Sequence, residues 1–181
     1  MKGFKVYQID NSTGPVLACG RRDLCVIFLL TGPHQVSGAD QEIEREGTCL
    51  FFGNPPGLHT SEGVLTHQMG YACRFTEEFV REGGPAGTQM LCSLLHGNQA
   101  SAFWLREEQA VYLTGLFQLM LAEQQTAYRF KHELVRSYLQ LIFHEALRLR
   151  TPAPKRGFRY YFRLPEPTGS LCTGWRRRKC R

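Results

Sequence analysis

The chain has 181 residues, so the prior is one domain, or one domain with an appendage. Its apolar fraction of 43% is enough to bury a core, and its longest apolar run, Leu24-Cys25-Val26-Ile27-Phe28-Leu29-Leu30, is far short of the ~20 residues a spanning helix needs. The net charge of +6 is uneven: residues 151–181 hold nine Lys or Arg against one acid, so they carry +8 and the first 150 residues carry −2. A nucleic-acid reading of that charge therefore applies to the tail alone.

Residues 4 to about 90 read as short strands between turn signals. The predicted strands are Phe4 to Ile9, Leu24 to Leu30, His34 to Val36, Gln41 to Arg45, Thr48 to Phe52 and Gln68 to Phe75. Punctuation comes from Asn11-Ser12-Thr13-Gly14-Pro15, Gly32-Pro33, Gly38-Ala39-Asp40 and Asn54-Pro55-Pro56-Gly57. Short strands at this spacing point to a sandwich or a small barrel. Thr76 to Glu82 then reads as one or two helical turns with Thr76 as N-cap, and Gly83-Gly84-Pro85 ends them.

From Arg106 the apolar spacing becomes three and four, which predicts a helix through residues 110, 113, 116, 117, 120 and 121. A second helix is predicted from about Thr126 to Arg150. It places Leu134, Tyr138, Leu141, Ile142, Glu145 and Leu149 on one side, with Val135, Leu139, Phe143 and Ala146 beside them. That face is broader than one partner surface needs, and a second copy of the same helix is the economical partner. The predicted homodimer contacts are Leu134, Tyr138, Leu141, Ile142 and Glu145. After Arg150 the period is lost. Four prolines and nearly all-basic charges predict a disordered tail. The organisation expected is a sensor domain over 1–105, a helical dimerisation segment over 106–150 and a basic tail over 151–181.

Seven cysteines are present, with no C-x-x-C pair, so zinc-ribbon and thioredoxin-type chemistry is not expected. Cys25, Cys49 and Cys73 lie in apolar runs and read as small buried hydrophobes. Glu77-Glu78 and Glu107-Glu108 sit at helix starts, where acids favour the macrodipole. There is no G-x-S-x-G and no phosphate loop. No secretory signal is visible at the N-terminus, and a cytoplasmic location with no membrane partner is expected.

Several blocks together resemble the N-terminal effector-binding and dimerisation domain of AraC-family transcription regulators. They are Arg22-Asp23-Leu24, Thr31-Gly32, the run Gly47-Thr48-Cys49-Leu50-Phe51-Phe52-Gly53-Asn54-Pro55 with the later His59, and Gly70 through Phe79. Leu121-Ala122-Glu123, Tyr128-Arg129-Phe130-Lys131 and Leu134-Val135-Arg136 complete them. The resemblance covers roughly residues 5 to 150. It implies a mainly β fold, a cupin-like jelly-roll barrel followed by an α-helical pair. The barrel would hold a small-molecule effector or sense none, and the helices would pair in a homodimer. DNA would be bound only by a C-terminal pair of helix-turn-helix units, for which this chain has no room. A frameshift near residue 152 is the expected origin of the tail, and the next reading frames of the gene test it.

Barrel interiors are lined by alternate strand residues. The predicted effector pocket is Phe28, Leu30, Phe52, His59, Tyr71 and Cys73, in a register that a one-residue slip reverses. His59 reads either as a half-exposed residue at the mouth of a turn or as a neutral imidazole donating to an effector. Metal-binding cupins carry a His-x-His pair with a glutamate, whereas here His34 stands without a partner at i+2. Pro55-Pro56-Gly57-Leu58-His59 is one residue short of the second cupin motif. No metal, no cofactor and no catalytic residue is expected. Two other classes stay open. One is a small cupin enzyme, an isomerase or dioxygenase, which needs a metal or a poised acid–base pair. The other is nonspecific nucleic-acid binding through Trp175 and Arg176-Arg177-Arg178-Lys179.

Overall fold

The computed structural model describes residues 3–10, 24–37, 42–53, 69–95 and 101–150. Five strands form one antiparallel sheet: β1 (Phe4–Ile9), β2 (Leu24–Ser37), β3 (Glu42–Gly53), β4 (Met69–Thr76) and β5 (Ser101–Trp104), in the order β1-β4-β2-β3-β5. Helices α1 (Glu77–Arg81) and α2 (Pro85–Leu94) follow β4, and α3 (Glu107–Gln124) and α4 (Lys131–Leu149) close the described chain. Among the described residues the sheet has two edges, β1 and β5, and is not closed into a barrel.

The apolar run of β2 explains its place. Every residue from Leu24 to Leu30 is buried, which requires cover on both faces of the sheet. β2 therefore lies between β4 and β3, with Ile27 opposite both Cys73 and Phe52 and Phe28 opposite both Ala72 and Phe51. The β2–β3 pairing runs unbroken from Val26↔Gly53 to Ser37↔Glu42. The four short strands predicted there are thus two long ones. Gly32-Pro33, taken from sequence as a break, is paired against Gly47 and Glu46 inside the ladder.

Gly70 marks a close approach of backbones. Its φ is +151°, and a Cβ placed there would sit 1.9 Å from the carbonyl oxygen of Leu29. Only a residue without a side chain lets β4 lie against β2 at this point.

Helix starts follow local chemistry. Thr76 caps α1, its hydroxyl accepting from the Phe79 N–H at 3.2 Å, with Glu77 and Glu78 in the first turn. Gly84, at φ +104°, then turns the chain into α2, which begins with Pro85. At the start of α3 the Gln109 side chain accepts from the Arg106 N–H at 3.0 Å, one half of a capping box.

The main core lies between the sheet and the helices. Ile27, Leu29, Leu50, Phe52, Cys73 and Phe75 pack with Leu113, Phe117 and Met120 of α3 and with Leu139, Ile142 and Phe143 of α4. Phe143 links the layers, its ring 6.2 Å from both Phe52 and Phe75. No described helix is long and apolar enough to cross a membrane.

Candidate functional site

The pleat divides the predicted pocket residues between the two faces of the sheet. Phe28 and Leu30 point away from the helices. They form a second buried cluster with Ile9, Val26, Phe51 and Ala72, flanked by Tyr7 and Ala102. Among the described residues, no helical residue belongs to it. Phe28 and Phe51 are cross-strand neighbours with ring centroids 6.0 Å apart.

Phe52, Tyr71 and Cys73 belong to the opposite, helix-covered face. Phe52 is fully enclosed between Phe103 and Phe143. Tyr71 stacks on Phe117 at 5.9 Å, and its hydroxyl accepts from Gln118 Nε2 at 3.2 Å. Cys73 is wholly buried, and burial pushes its thiol well above the ordinary range. The six predicted residues therefore do not converge on one pocket. Two share the helix-free face, three share the helix face, and His59 lies outside the described residues. The tail residues Trp175 to Lys179 also lie outside them. His34 sits in β2 opposite Arg45.

Sequence reasoning missed Ile9, Val26, Phe51 and Ala72 as companions of Phe28. A signal for Phe51 was present. Phe51 and Phe52 are adjacent in a strand and must point to opposite faces, so one pocket can hold only one of them. Which one depends on register, and the pairing Phe28↔Phe51 decides it.

The predicted dimer residues are also split. Ile142 is fully buried in the chain's own core, together with Val135, Leu139, Phe143 and Ala146. Leu141 is 41% exposed. Leu134, Tyr138 and Glu145 are half-buried along the flank of α4, and Glu145 pairs with Arg148 one turn on. α3 adds apolar surface that sequence reasoning left out: Val111, Tyr112 and Leu119 are all exposed while Leu113, Leu116, Phe117 and Met120 face the core. Beyond α3, Tyr128 and Phe130 are exposed and in edge contact at 5.8 Å.

Among the described residues, no group of three or more His, Cys, Asp or Glu side chains lies together in a way that would hold a metal ion. Neither protein-family models nor curated protein sequences give a match to this chain.

Proposed function

We propose that the chain is the ligand-sensing and dimerisation module of an AraC-type transcription regulator, built on a cupin-like barrel and acting in the cytoplasm as a homodimer. One observation carries this reading: the sheet has two apolar faces, and among the described residues only one of them is served by helices. An antiparallel sheet backed by helices on one side normally turns a polar face outward. A jelly roll instead needs an apolar interior on its second face, with the helices outside it. In this reading the effector contacts Phe28 and Leu30, with Val26 and Phe51, and His59 is the proposed neutral imidazole donor to it. Phe52, Tyr71 and Cys73 then serve the seam between barrel and helices and are not ligand contacts.

The exposed apolar side chains of α3 and α4 support the pairing of two copies, with Leu141 at the centre and Leu134, Tyr138 and Glu145 alongside. An effector would act by binding one arrangement of the pair more tightly than another. DNA recognition would come from a C-terminal domain outside this chain.

The test is to fuse the full chain ahead of a DNA-binding domain that represses a reporter only as a dimer. Repression is expected. Leu141→Arg should abolish it while leaving the far-ultraviolet spectrum intact, because this side chain already meets water. Absence of repression by the unsubstituted fusion, with the chain monomeric by light scattering, would sink the proposal.

A further inference from the structure

The Phe28 face of the sheet is apolar in its middle and cationic at one end. Lys5 of β1 and Arg74 of β4 are direct cross-strand partners, and Arg74 also stands opposite Val26 of β2. Side chains alternate along a strand. Arg74, two positions beyond Ala72, therefore shares the face of Ala72, Val26 and Phe28. Two residues of strand are about 7 Å, so the cations border the apolar cluster. From this juxtaposition we infer that the face binds a small amphipathic monocarboxylate, its apolar body against Phe28 and its carboxylate between Arg74 and Lys5. The inference rests on the reading of this face as the effector site and names the chemical class of the effector.

Like charges directly opposite each other destabilise an antiparallel pair, and Arg74 is half-buried, where an ionised group is costly to place. Folding stability alone therefore does not account for this pair. Tyr7 ties it to the apolar cluster. Lys5 Nζ lies 5.1 Å and Arg74 Cζ 5.7 Å from the centroid of the Tyr7 ring, and the same ring packs against the Phe28 cluster. The ring attracts each cation and fixes both heads at the border, but it does not remove their mutual repulsion. An anion between them does. Strand alternation puts no Asp or Glu of the described strands on this face. One acid from elsewhere in the chain would still leave the pair with net positive charge. The guanidinium fork matches a carboxylate in two parallel hydrogen bonds, and the apolar side of the border selects a ligand with a hydrocarbon body.

The experiment is calorimetric titration of the full chain with three probes of one shape, 3-phenylpropanoate, 3-phenylpropanol and 3-phenylpropylamine, and with acetate as the carboxylate without a body. The acid should bind best, with the alcohol weaker by roughly tenfold or more, the worth of a hydrogen bond to a charged group, and the amine weakest. Acetate should not saturate over the same range. Arg74→Met keeps an unbranched stem against Tyr7 and should bring acid and alcohol to the same affinity. Lys5→Gln, at an exposed position, should weaken the acid alone by roughly threefold, the worth of a solvent-screened ion pair, and it serves as the test if Arg74→Met does not fold. Phe28→Leu should weaken acid and alcohol by the same factor. Equal affinity for acid and alcohol in the unsubstituted chain would overturn the inference while leaving the face an effector site. A preference for the acid that neither Arg74→Met nor Lys5→Gln reduces, acetate binding as tightly as 3-phenylpropanoate, or no binding of any probe up to its solubility would overturn it too. Dimer-dependent repression is read without any of these probes, so the regulator reading and the carboxylate inference fail separately.

Discussion

Cys73 is a thiol with no exposed surface, held between β2 and β1 in the middle of the helix-facing core. Together with the buried Cys25 and Cys49 it fills space as a small hydrophobe. Burial raises its pKa from the ordinary value of 9.0, because the thiolate would have to leave water. The sign of the linked stability follows. Below about pH 9 both folded and unfolded chains keep the proton, and the group adds no pH dependence. Above it the unfolded chain ionises and the native one does not, so this contribution is lost as pH rises, by up to about 1.4 kcal/mol per pH unit. Urea midpoints for the full chain and for Cys73→Ala, taken from about pH 8 to about pH 10, should therefore converge as pH rises. Parallel curves would mean that the thiol ionises freely in the native state. Residue-level readings were legible for this cysteine and for Thr76, because an apolar run and a capping hydroxyl are local signals. Gly70 was not legible as a contact point. Its role depends on the Leu29 carbonyl, which lies forty-one positions earlier in the chain.

Among the elements, β1 shows how an edge is managed. Its inner side pairs with β4, and the side-chain amide of Gln124 from the end of α3 bonds its backbone at Val6. The Val6 N–H donates to Gln124 Oε1 at 2.7 Å, and Gln124 Nε2 donates to the Val6 carbonyl at 3.3 Å. A carboxamide carries the same donor and acceptor as a peptide unit, so it replaces a neighbouring strand and blunts the edge. Gln124→Ala leaves two part-buried backbone groups without these partners and should cost about 1–3 kcal/mol. Hydrogen exchange at the Val6 amide should accelerate more than at amides in β3, and unchanged protection at Val6 would show that water replaces the side chain without loss. Strand existence was legible here and strand length was not. Gly and Pro at 32 and 33 carry a local turn signal, and only cross-strand pairing with Gly47 and Glu46 overrides it. Helix α2 escaped because its sequence, PAGTQMLCSL, opens on Pro, Ala, Gly and Thr and shows little apolar period before Met90. Tertiary packing on α4 sustains it. At Gly87 an added Cβ would lie 3.1 Å from Val80, so a small residue is needed where α2 meets α1.

At the scale of the molecule, the change of apolar period near residue 105 divides the chain into a β unit and a helical unit, and the two pack on one core. Phe52 of β3 and Phe143 of α4 are both fully buried, 6.2 Å apart, and Phe75 of β4 touches the same Phe143 ring. Burying two such rings against each other makes each layer depend on the other, since neither apolar face is stable in water alone. Sheet and helices should therefore unfold together. Phe52→Ala should cost about 3–5 kcal/mol and lower the unfolding midpoint equally whether followed by helix ellipticity or by exchange of β3 amides. Phe143→Ala should do the same from the other side. The double variant should fall short of the sum by about 0.5–1.5 kcal/mol, the coupling expected of one aromatic pair. Phe28→Ala supplies the contrast. It sits on the helix-free face, so its loss should show no coupling to Phe143→Ala. Two separate transitions in the unsubstituted chain, or additive losses at Phe52 and Phe143, would mean that residues 106–150 form a unit of their own and that the sheet is stabilised chiefly from the Phe28 side.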